Sequence, residues 1–185
     1  MPTTQTASNA SMLPGSAVTT NTLLFDTNVW LDYFFDRAGV SNDIVDLIEC
    51  AKFAGDTIAT TVSIKKDVYY IVPRELRRRA AAIGGHGDEQ PSETLFKQVA
   101  WALLEQMDEL ATVVPLSLRE DFFARHIKDE HNDYEDDALV ATARAIGAKC
   151  IVTSDLPLLR HFPNECRTPA QALAIYRDRP CQQPR

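Results

Sequence analysis

Two short apolar runs, far apart in the chain, each end in an aspartate. Leu23-Leu24-Phe25-Asp26 leads into Thr27-Asn28-Val29-Trp30-Leu31-Asp32, and Lys149-Cys150-Ile151-Val152-Thr153-Ser154-Asp155 leads into Leu156-Pro157. Each run reads as a buried strand that delivers an acid to its C-terminal end, followed by a helix. Open α/β sheets place their ligands there, outside the carboxyl ends of the strands. Asp is also a favoured N-cap, so both Asp26 and Asp155 carry a second reading, as plain helix caps. The residues alone leave the two readings open.

Between these runs the chain alternates helical and strand-like patterns, which predicts an α/β fold. Val29 to Phe35 continues as a helix, and Ser41-Asn42 begins another carrying Ile44, Val45, Leu47, Ile48 and Ala51. Thr57 to Thr61 is a β-branched second strand. From Val62 a helix shows Ile64, Val68, Ile71 and Val72 on one face, until Pro73 kinks it or starts a new one. Residues 80–91, with Gly84-Gly85-His86-Gly87, read as a flexible loop. The next helix opens at Ser92-Glu93 with an expected apolar stripe of Leu95, Val99, Leu103 and Met107, broadened by Trp101 and Leu104, a core or dimer face. Residues 111–116 form a third strand, and Ser117 caps a helix through Phe122 and Phe123. His126 and His131 stand five apart, where helical metal pairs want three or four. Pro169 to Tyr176 is a terminal helix.

Acids and bases are unevenly distributed. Asp133-Tyr134-Glu135-Asp136-Asp137 opens a helix whose Ala138, Ala141, Ala143 and Ala145 allow close packing on the sheet. Acids collect at helix N-termini for dipole reasons alone, which accounts for two of these four more easily than for all. Asp136 and Asp137 diverge by about 100° around a helix and so are unsuited to share one ligand. Asp67, beside Lys65 and Lys66, reads by itself as a solvated surface acid. Arg74, Arg77, Arg78 and Arg79 form the one dense basic cluster. It suits either phosphate contact along an RNA backbone or a solvated helix face.

The bulk properties narrow the function classes. A formal net charge of -7 argues against passive, non-specific nucleic-acid binding, though an acidic metal site adds negative charge that bound cations offset. The four cysteines, at 50, 150, 166 and 181, contain no C-x-x-C pair, so a structural zinc site and a disulfide scaffold are not expected. Cys50 and Cys150 read as small buried hydrophobes, and a reducing, cytoplasmic location is the simplest expectation. Residues 1–21 have neither the basic nor the apolar region of a secretory signal and read as a flexible tail. No apolar run is long enough to span a membrane. The expected organisation is a tail over 1–21, one domain over 22–176, and a frayed end over 177–185.

In their order and contexts, the runs ending at Asp26 and Asp155 and the acidic helix start at Asp133 resemble the PIN domain, a family of metal-dependent ribonucleases. The likeness is to VapC-type toxins and related small bacterial proteins, over roughly Thr22 to Pro163. It implies a three-layer α/β/α fold with a central, mainly parallel sheet of four to five strands. It places a second site acid on the helix after the second strand, where Asp67 stands in a segment similar to the subset that uses Asp. It also places an acid six residues before the Thr of the Ala-Thr-Ala segment, which selects Asp136, since Thr142 is six later. The resemblance therefore implies a site of Asp26, Asp67, Asp136 and Asp155, with Asp133 a candidate fifth member.

Converging carboxylates cannot all ionise near neutral pH without a counter-charge. Oxygen-only ligands select Mg²⁺ or Mn²⁺ over zinc. The expected chemistry is metal-dependent, endonucleolytic hydrolysis of RNA, with Arg74, Arg77 and Arg78 as candidate RNA contacts. The resemblance further implies 5′-phosphate and 3′-hydroxyl products, a homodimer, and, for a toxin, a small antitoxin partner. Three alternatives compete. A response-regulator receiver would place its phospho-acceptor Asp after the third strand, where Pro115 stands instead. A phosphatase of the haloacid dehalogenase type wants Asp-x-Asp, and Asp26-Thr27-Asn28 lacks the second Asp. A catalytically silent PIN fold would act as an RNA- or partner-binding module.

Overall fold

The first strand, β1 (Thr22–Phe25), occupies the middle of the sheet because Leu23, Leu24 and Phe25 are wholly buried and need cover on both faces. In the computed structural model, residues 21–37, 39–83, 92–115, 117–128 and 133–177 are described. β1 is followed by α1 (Thr27–Phe34) and α2 (Ser41–Ala54). Gly55, with φ 72, takes the left-handed conformation that ends α2, and its N–H closes back onto Ala51 and Lys52 carbonyls. β2 (Thr57–Thr61) then runs parallel to β1, pairing Ala59 with Leu24.

The long helix α3 (Val62–Ile83) follows, then α4 (Glu93–Leu110), β3 (Thr112–Val114), α5 (Leu118–Ile127) and α6 (Tyr134–Ala145). β4 (Cys150–Val152) pairs with β1 on its other side, Ile151 opposite Leu24. After α7 (Leu156–His161) a two-residue β5 (Cys166–Arg167) adds to β4, and α8 (Pro169–Arg177) closes the chain. The sheet order is β3-β2-β1-β4-β5, all parallel. Crossovers leave β1 in one direction through β2 and β3, then return past it to β4 and β5. Right-handed connections of opposite direction place helices on both faces, which makes the three-layer α/β/α fold. The strand order reverses between β1 and β4, and that switch point is where such sheets open a crevice.

Several local expectations are revised. Pro73 neither starts nor stops a helix: α3 runs through it, with the ring buried. Packing of α3 against α4 and α1 outweighs the one hydrogen bond the proline forgoes. The buried stripe of α4 is Phe96, Ala100, Leu104 and Met107. Leu104 and Met107 are buried as expected, whereas Leu95 and Trp101 are exposed and Phe96 and Ala100 take their place on the buried face. Cys150 and Cys166 are buried, and burial pushes their thiols up to about 11 and about 12, while Cys50 is only half-buried. Residues 1–20, the glycine-rich loop with His86, His131, and residues 178–185 with Cys181 lie outside the described residues.

Leu24 touches both neighbouring strands and is wholly buried. Leu24→Ala is expected to cost about 3 kcal/mol, measured as a lower urea midpoint with an unchanged slope.

Candidate active site at the carboxyl ends of β1 and β4

Beyond Phe25 the backbone leaves β1 with a last ladder bond, Asp26 N–H to the Val152 carbonyl at 3.0 Å. That bond sets the Asp26 side chain at the switch point. Its Oδ1 accepts from the Thr27 N–H at 2.6 Å, and its Oδ2 accepts from Asn28 Nδ2 and from Thr153 Oγ1, both at 2.8 Å. Asp26 is thus the N-cap of α1 and a wall of the crevice at once, so its two readings from sequence describe one residue. Asp155 repeats this: it caps α7 by accepting from the Leu158 N–H at 3.1 Å, and it faces the same crevice. Asp133 caps α6, accepting from the N–H groups of Glu135 and Asp136.

The crevice is a cleft of about 350 Å³. Asp26, Asp133, Glu135, Asp136 and Asp155 line it, with Thr61 and Ser63 from the β2–α3 junction. Asp137 turns away and is 1% exposed. Asp67 is not among the lining residues. It sits behind Glu135, with Lys66 Nζ 3.2 Å from its Oδ1. Asp67, on α3, meets Glu135 of α6, which does line the cleft. Sequence reasoning counted Glu135 only as one acid of a helix start. The signal available was its position next to Asp136, without anything to show that it meets Asp67.

Electrostatics confirm that the acids crowd one another. Burial raises the Asp26 carboxyl above its usual range. Hydrogen bonds from Thr153 and the Thr27 backbone pull against that, and the charge of Asp155 raises it further. Glu135 is pushed up to about 7, first by a hydrogen bond with Asp67, then by desolvation and by the Asp67 charge. Two ionised carboxylates hold acceptors only, and Asp67 Oδ2 is indeed buried without a donor. A proton shared with Glu135 supplies one, and so would a cation.

The donor set fits a hard divalent cation in kind: the cleft acids offer oxygen alone, and among the described residues no His or Cys lines it. The spacing is more open than a finished site. Among the described residues, no group of three or more His, Cys, Asp or Glu side chains is gathered closely enough to hold a metal ion. Within the site, Asp155 acts on Asp26, and Asp67 and Asp133 act on Glu135.

The arginines lie along α3. Arg77 pairs with Glu93, and Arg78 meets Glu75 at 2.6 Å. Arg79 also holds Glu75, and its guanidinium lies 4.5 Å over the Phe35 ring. Arg74 is exposed and has no acid partner among the described residues. His126 lies against the Phe122 ring at a tilt of 49° and does not line the cleft.

The sequence matches the family described as PIN domain over residues 22–156. No curated protein matches it. Among solved structures, the chain is similar to one from the crystal structure of VapBC2 from Rickettsia felis bound to a DNA fragment from their promoter. The TM-score is 0.55 at 14% identity, covering 80% of this chain and 98% of that one. It is also similar to a chain of a toxin-antitoxin complex from Klebsiella pneumoniae, with a TM-score of 0.52 at 16% identity, covering 80% and 97%. At these identities the likeness speaks for the fold.

A group whose folded pKa is raised stabilises the fold fully below its unfolded value and loses that contribution as pH rises through the folded value. For Glu135 the window runs from 4.5 to about 7. In EDTA, the melting temperature is therefore expected to fall across that window, from 4.5 to about 7, relative to Glu135→Gln, which carries no proton to lose. Parallel curves for the two proteins would contradict the shared proton.

Proposed function

Because this chain belongs to the PIN domain family, we propose that it is a metal-dependent endoribonuclease. The observation that carries this reading is the gathering of Asp26, Asp133, Glu135, Asp136 and Asp155 on one cleft at the sheet's switch point. Asp26, Asp136 and Asp155 would hold Mg²⁺ or Mn²⁺, with Asp67 acting beside Glu135 and Asp133 as a further ligand. When bound, the cation offsets the carboxylate charge, polarises a phosphodiester and lowers the pKa of a water.

The chain's own residues do the rest. Thr27, Asn28 and Thr153 hold both Asp26 oxygens, so the carboxylate is oriented before any ligand arrives. Burial of Asp26 makes its ionisation depend on a nearby positive charge, which couples cation binding to the site's working form. Exposed Arg74 is suited to a backbone phosphate, while Arg77 and Arg78 would first have to leave their glutamates. Cleavage leaves a 5′-phosphate and a 3′-hydroxyl. The partners that go with this reading are RNA as substrate, a second copy of the chain, and a small antitoxin protein; the two similar structures are titled as VapBC2 and as a toxin-antitoxin complex.

The open spacing of the acids favours a second reading, a PIN fold that binds RNA or a partner without cutting it. A panel of structured and single-stranded RNAs, incubated with Mg²⁺, Mn²⁺ or EDTA, separates the two. The nuclease reading predicts cutting that needs the metal and falls at least about a hundredfold in Asp26→Asn. Cutting that persists in Asp26→Asn at the parent rate would rule out this site. RNA retention without cleavage in any metal would favour the silent module.

A further inference from the structure

The acid that ends the Asp26–Asp32 segment has no part in the cleft, yet it is buried. Asp32 is 3% exposed and does not line the crevice. Its Oδ1 accepts from Arg37 Nη1 at 2.7 Å. Its Oδ2 accepts from Ser154 Oγ at 2.8 Å, across to the turn that follows β4. One helical turn earlier, Asn28 reaches the same serine: its Oδ1 accepts from the Ser154 N–H at 2.9 Å. Residues four apart lie on one face of a helix, so Asn28 and Asp32 grip Ser154 at two points, backbone and side chain. The Asn28 Nδ2 group meanwhile donates to Asp26 Oδ2. Ser154 stands between Thr153, which donates to Asp26 and accepts from the Asp155 N–H at 3.0 Å, and Asp155 itself.

We propose that Asn28 and Asp32 form a two-point clamp on Ser154 that fixes Asp155 relative to Asp26 and thereby sets the affinity of the cleft for a divalent cation. Asp32 is a positioning residue in this arrangement and not a ligand. Arg37 is half-exposed and neutralises it, which lets a buried carboxylate remain an acceptor for the Ser154 hydroxyl. The inference rests on the nuclease reading for its cation. Hydrogen-bonded groups behind metal ligands orient them, and their loss costs about tenfold to a hundredfold in metal affinity.

The test is Mn²⁺ binding to the full chain, without RNA, read by calorimetry and by the electron paramagnetic resonance spectrum of the bound ion. Ser154→Ala removes one hydroxyl from a half-buried turn, so it is expected to fold and to lose only a few degrees of melting temperature. It should weaken Mn²⁺ binding by about tenfold or more, and Ser154→Thr, which restores a hydroxyl, should recover most of it. In Asn28→Ala, the Ser154 amide should lose its protection from hydrogen exchange, a readout that needs no metal. Parent-like Mn²⁺ affinity in both Ser154→Ala and Asp32→Asn, in folded protein, would overturn the clamp and leave the nuclease reading standing. A parent chain that binds no Mn²⁺ would overturn both.

Discussion

The hydrogen bond from Thr153 Oγ1 to Asp26 Oδ2 joins the ends of two strands that are 127 residues apart in the chain. It depends on β1 and β4 being neighbours, which in turn depends on both strands being apolar enough to lie at the centre of the sheet. With those strands paired, Asp26 and Asp155 must emerge side by side, because parallel strands deliver their carboxyl ends to the same edge. Each acid then starts a helix. The N–H groups that open those helices donate to the two carboxylates and offset part of their charge, and the remainder faces the cleft. Capping and ligand binding are therefore compatible duties here, since a carboxylate has two oxygens and lone pairs enough for both.

What could be read from the sequence follows from range. Strand β1, strand β4 and the acids that end them are local patterns, an apolar run and a terminator, and the parallel sheet follows from their alternation with helices. The register of α4 was not local: Leu95, Val99, Leu103 and Met107 have good helical spacing, but packing against α3 leaves Leu95 exposed and buries Phe96 and Ala100. β5 is two residues long and has no pattern of its own; it forms because Cys166 lies beside Ile151. Pro73 is tolerated for the same reason, since α3 continues through it while packed against α4 and α1. Within the cleft, the sequence points to Asp26, Asp136 and Asp155 as acids at strand and helix ends. It could not show that Asp67 stands back, or that Glu135 covers it, because that contact joins α3 to α6 in space alone.

The cleft's charge is the constraint on its function. Among the described residues five acids line it and no basic residue does, while Lys66 pairs with Asp67. Such a surface repels a polyanion unless something positive sits between them. Without a ligand, a proton shared with Asp67 relieves the crowding at Glu135, while burial first, and the Asp155 charge after it, raise the Asp26 carboxyl. A divalent cation relieves it more fully and, at the same time, presents a positive face to phosphate. The rigid part of this arrangement is the Asp26–Thr153–Ser154–Asp155 corner, tied down by Asn28 and Asp32. On the rim from α6, Asp133 and Glu135 stand exposed, while Asp136 is half-buried like Asp26 and Asp155.

The central claim is that these acids share one divalent cation. The most direct measurement is a crystal structure grown with Mn²⁺ and recorded at a wavelength where manganese scatters anomalously. The account predicts an anomalous peak in the cleft within bonding distance of both Asp26 and Asp155. A saturated crystal with no peak there, or with manganese bound only elsewhere, would contradict it.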